Sequence, residues 1–77
     1  MRRASAGRVY LGGTYRFEAD GIGAVYKVLR RSGPLWNVVW LNGTGHHDDL
    51  ATVHITACSS YLGGGVPVSA YPPPRAS

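Results

Sequence analysis

The chain has 77 residues and a formal charge of +4, enough for one domain with a thin core. Its one cysteine, Cys58, excludes an internal disulfide. No apolar run approaches the ~20 residues that span a bilayer, and none follows Arg2-Arg3, so no signal peptide is expected and the chain reads as cytoplasmic.

Residues 1–8 are short, polar and basic and read as an N-terminal arm. Val9-Tyr10-Leu11 is an edge strand or a lead into the turn at Gly12-Gly13. Thr14 to Glu18 alternates, with Tyr15 and Phe17 on one face, as a half-buried strand does. Asp20-Gly21-Ile22-Gly23 turns the chain. The next strand, about Gly23 to Arg30, sets Val25 and Leu29 on one side and Tyr26 and Val28 on the other. Arg31-Ser32-Gly33-Pro34 is a turn.

Leu35 to Leu41 is apolar on both faces, with Trp36, Val38 and Trp40 sharing one of them. Such a strand is central, or it fronts a groove. After the polar connection Asn42 to Asp49, Leu50 to Thr56 alternates again and predicts a strand with Val53 and Ile55 inward. Ala57 to Leu62 is too short for a stable α-helix and suits one 3₁₀ turn, with Cys58 buried in it. Gly63-Gly64-Gly65 is a joint, and Val66-Pro67-Val68 suits a short closing edge strand. Residues 69–77, with Pro72-Pro73-Pro74, read as a proline-rich tail.

A meander of four strands, one helical turn and a fifth short strand resembles the SH3-like small barrels, over about Gly13 to Val68. Trp36 stands where SH3 domains carry a groove-lining tryptophan, and Ser59-Ser60-Tyr61 is similar to their Ser-Asn-Tyr-like turn. The loop Ala19 to Gly23 is shorter than that of a proline-peptide reader, and Thr56 replaces an expected proline. The likeness is therefore to the Tudor and KOW end of the group, although the glycine pattern of KOW modules is missing. The expected fold is all-β: a single five-stranded SH3-like barrel over residues 9–68, with one 3₁₀ turn before the last strand. Such barrels host many functions, so the likeness carries no ligand across.

The residues offer little chemistry. His46-His47-Asp48-Asp49 has metal-ligand types at unsuitable spacing, since neighbours on a strand point to opposite faces. Cys58 has no recognisable acid or base partner, the glycines make no phosphate loop, and the four carboxylates suggest no acid/base pair. No catalytic residue, metal, cofactor or small-molecule substrate is expected.

Aromatics outnumber what a small core needs. A binding module that works by protein contact, including self-association, is therefore expected to use Trp36, Tyr61, Tyr15 and Trp40. The alternative is nucleic-acid binding through Arg2, Arg3 and Arg8, with Lys27, Arg30 and Arg31 adding charge. Against it, residues 9–68 hold four basic and four acidic side chains, so the positive excess lies in the two ends. Size alone suits a small accessory protein, such as one from a phage or mobile element.

Overall fold

A computed structural model describes residues 7–43 and 45–70. Arg2, Arg3 and Pro72-Pro73-Pro74, which belong to the expected arm and tail, lie outside the described residues. The fold is all-β apart from one helical turn. In chain order the elements are β1 (Arg8–Leu11), β2 (Thr14–Ala19), β3 (Ile22–Ser32), β4 (Leu35–Trp40), β5 (His47–Ala51), α1 (Thr52–Thr56), β6 (Ser59–Gly63) and β7 (Val66–Ser69).

The expected single barrel of five strands does not form. The strands make a five-stranded antiparallel sheet in the order β5-β4-β3-β2-β6 and a separate pair, β1-β7, and the sheets do not close on each other. The cause is glycine. Gly12-Gly13 separates β1 from β2, and Gly64-Gly65 separates β6 from β7. One part of each chain segment therefore joins each sheet. Gly12, Gly64 and Gly65 have φ of 83°, 84° and 77°, values a side chain resists. The first corner is tied to the middle of β3: Gly12 N–H donates to the Val28 carbonyl at 2.8 Å and Val28 N–H to the Gly13 carbonyl at 3.0 Å.

The helical turn is also displaced. It is α-helical rather than 3₁₀ and covers Thr52–Thr56, while Ser59–Gly63, of which all but Gly63 was expected within that turn, is a strand on β2. Thr52-Val53-His54-Ile55-Thr56 has strand propensity, but tertiary contacts override it. Trp36 Nε1 donates to Thr52 Oγ1 at 2.9 Å, Thr56 Oγ1 donates to the Thr52 carbonyl at 3.1 Å, and Ile55 is buried. Val53, expected inward, is 59 % exposed on this turn. The fourth meander strand instead starts in the polar run, where Asp48 and Asp49 pair with Val38 and Asn37.

The core lies on one face of the larger sheet. Cross-strand neighbours Tyr15 and Tyr26, Val28 and Val38, and Trp36 and Leu50 share that face. Val9 of β1, Ile55 of α1 and Ala70 after β7 cover it. Burial of each such aliphatic side chain contributes roughly 1.5–3 kcal/mol. The hydroxyls of its two tyrosines are paired. Tyr15 Oη accepts the Tyr10 N–H at 3.0 Å. Tyr26 Oη donates to Ser59 Oγ at 2.6 Å, and Ser59 Oγ donates to the His54 carbonyl at 3.0 Å.

Loss of water around Tyr26 pushes its hydroxyl from 10 up to about 12; the bond to Ser59 lowers it, and Tyr15 and Cys58 raise it. The fold thus favours the neutral phenol more than the unfolded chain does. That stability is complete below pH 10 and is lost as pH climbs from 10 to about 12. It amounts to about 2–3 kcal/mol at ~1.4 kcal/mol per unit. Urea midpoints measured across this interval should fall steeply in the wild type and less so in Tyr26→Phe. Identical slopes would refute the assignment.

Candidate functional site

The apolar face that forms the core continues beyond its cover. At the end of the sheet made by β2, β3 and β4, Phe17 stands opposite Ala24, Ala19 opposite Ile22, and Trp40 opposite Tyr26. The small side chains of Ala19 and Ala24 leave space beside Phe17 and Trp40. The result is a groove of about 500 Å³ lined by these four residues and Ile22, with Asn42, His46 and Asp48 as its polar lining.

Each part is held by local structure. Asp20-Gly21 forms the two-residue β2–β3 turn with φ of 53° and 78°. Two positive φ values match the right-handed twist of the strands, which is why Asp-Gly suits such a hairpin. This turn carries Ile22 to the tip, where it is 75 % exposed. The Tyr26 ring meets Trp40 edge-on at 5.2 Å. Phe17 is backed by the His54 ring at 4.5 Å. On the β4–β5 connection, Asn42 Oδ1 accepts the Val25 N–H at 2.8 Å, Leu41 N–H donates to the Val25 carbonyl at 2.8 Å, and Trp40 N–H donates to the His46 carbonyl at 2.9 Å.

The four expected contact residues do not form one surface. Trp36 and Tyr15 are 1 % and 2 % exposed and belong to the core, so neither offers the half-exposed ring expected of them. The SH3-type groove tryptophan therefore has no counterpart at Trp36. Tyr61 does reach the surface. It stacks on Tyr10 with centroids 4.1 Å apart and donates from its hydroxyl to the Gly64 carbonyl at 2.6 Å. It lies on β6, with β3 and β2 between it and β4. Only Trp40 lines the groove.

The basic residues also separate. Arg31 lies 4.4 Å over the Trp36 ring and donates to the Ala70 carbonyl at 2.9 Å. Lys27 and Arg30 lie opposite Val39 and Asn37, on the other face of the sheet. Arg8, expected in the arm, opens β1.

His46-His47-Asp48-Asp49 divides as strand alternation requires. His46 and Asp48 line the groove, whereas His47 and Asp49 meet Asn37 on the opposite face at 3.4 and 3.2 Å. Among the described residues, no three of His, Cys, Asp and Glu are grouped to hold a metal ion. Cys58 is exposed rather than buried. Among the described residues, no helix is long and apolar enough to cross a membrane.

Sequence reasoning missed Phe17, Ala19, Ile22, Ala24, Asn42, His46 and Asp48 as groove residues. The available signal was the Asp-Gly turn, which aligns Phe17 with Ala24 across the hairpin. No family model matches this chain, and no curated protein or solved structure is detectably similar to it.

Proposed function

We propose that this protein is a non-enzymatic binding module that holds an apolar segment of a partner protein between Phe17 and Trp40. The observation that carries the reading is the uncovered end of the core face. Its rings are held in place by Tyr26 and His54, and its floor is alanine. Rigid aromatic walls bury apolar area at little entropic cost, as contact hot spots do. Asn42, His46 and Asp48 give the lining polar groups that can fix the orientation of a ligand. The meander β2–β5, one helical turn and a returning strand further support an SH3-like module opened at its glycine corners.

A partner recovered from native lysate, purified and titrated should bind Trp40→Ala at least tenfold more weakly, or about 1.4 kcal/mol. Ile22→Lys should also weaken it. Ile22 is mostly exposed, so this variant keeps the fold even if Trp40→Ala loosens the core. Unchanged affinity in both variants would refute the groove. Saturable binding of DNA or RNA at low salt, lost as salt rises, would favour the nucleic-acid reading instead.

A further inference from the structure

We propose that the free edge of β6 pairs antiparallel with β6 of a second copy, joining two five-stranded sheets across a twofold axis. The five-stranded sheet has two edges, β5 and β6. β5 carries His47, Asp48 and Asp49, all exposed, and charge is how native sheets keep an edge from pairing. In the smaller sheet, β7 carries Pro67 and β1 carries Arg8. β6, Ser59-Ser60-Tyr61-Leu62-Gly63, has neither charge nor proline. Beyond its ladder with β2, none of the backbone hydrogen bonds among the described residues involves Ser59–Gly63.

The edge also exposes apolar side chains. Tyr61 and Leu62 are 38 % and 54 % exposed, two of the six large hydrophobic side chains exposed among the described residues. The register with β2 slips between Tyr61 and Gly63, which leaves Leu62 without a β2 neighbour. The slip is a bulge at the Gly63 end of β6, and the rest of the edge carries neither charge nor proline beside its exposed apolar side chains, which makes it a site for strand pairing.

The strand's own residues favour a second copy as the occupant. In an antiparallel pair centred on Tyr61, Leu62 of each copy faces the small Ser60 of the other, and no like charges meet. The same arrangement at β5 would set Asp49 opposite its own copy, which disfavours it. Twofold pairing of β6 uses up the exposed edge and stops at two copies. The contact is short, so association belongs to the weak class with little buried area.

Sedimentation equilibrium from micromolar to millimolar protein tests this. The mass should rise from 8.2 kDa toward twice that value and no further. Leu62→Lys and Ser60→Lys, both at exposed positions, should remain monomeric with unchanged near-ultraviolet circular dichroism. Ile22→Lys, in the groove, should associate as the wild type does, so loss of the groove function and loss of the dimer are separable. Amide exchange in Ser60–Gly63 should slow as concentration rises. A wild type that stays monomeric, association that survives both lysine variants, or growth beyond two copies would each overturn the proposal.

Discussion

Trp36→Ala should cost about 3–5 kcal/mol of unfolding free energy, the range for emptying a fully buried aromatic site. A domain of this length holds roughly 4–12 kcal/mol in total, so the variant should be partly or wholly unfolded at room temperature. The ring is 1 % exposed and joins three parts of the chain. Its Nε1 donates to Thr52 Oγ1 at 2.9 Å, which fixes the start of α1. The Arg31 guanidinium lies 4.4 Å above it and donates to the Ala70 carbonyl at 2.9 Å, which anchors the segment after β7. Truncation therefore opens a cavity, frees Thr52 and removes the platform under Arg31. Urea denaturation followed by circular dichroism reads the loss. Thr52→Val keeps the volume but removes this bond and the one Thr52 Oγ1 donates to the Ala70 carbonyl at 3.5 Å, and should cost about 1–2 kcal/mol. A Trp36→Ala cost no larger than that of Thr52→Val would show that the indole is not the node described.

That buried tryptophan marks where the sequence stops being legible. Alternation placed Trp36, Val38 and Trp40 on one face, and the register bears this out. It could not tell which indole is covered, because the cover comes from Val9, Ile55 and Ala70, far away in the chain. The meander was legible because its strands are apolar or alternate and its turns carry glycine. β5 was hidden because an edge strand needs few apolar residues, and His47-Asp48-Asp49 reads as loop. α1 was hidden because its five residues favour strand locally, and only Trp36 and the buried Ile55 make them helical. The glycine joints were visible, but their consequence was not. Two sheets rather than one barrel depend on how the two corners meet.

Core and groove are stretches of one continuous face, and this decides how the groove can be probed. Trp40 touches both Tyr26 and the groove, so its truncation alters stability and binding together. Ile22 sits at the hairpin tip and reports on the groove alone. The groove exists because β1, α1 and β7 cover only part of the five-stranded sheet. A chain with a longer β1–β7 pair would close over Phe17 and Trp40 and lose the site.

Gly65→Ala should be the most damaging exposed substitution, since it strikes the corner that sets this partial cover. The residue has φ of +77°, which costs an L side chain roughly 1–2 kcal/mol. It also has no room. A Cβ there would collide with the Gly13 backbone nitrogen and lie 2.6 Å from the Leu11 carbonyl oxygen. Both are backbone atoms, and Gly13 is tied to β3 through the Val28 N–H. Relief requires the β1 and β7 corners to part, so the total loss should exceed about 3 kcal/mol, beyond what φ alone explains. Gly64→Ala isolates the φ contribution. Gly64 has φ of +84°, but its added Cβ would meet only the Gly12 carbonyl oxygen at 3.7 Å, an ordinary contact. It should lose no more than about 1–2 kcal/mol. Amide exchange should show the difference locally, with Val9 and Val68 deprotected in Gly65→Ala and protected in Gly64→Ala. Equal losses in the two variants would mean that backbone handedness, and not the crossing of the two glycine corners, holds the smaller sheet on the larger one.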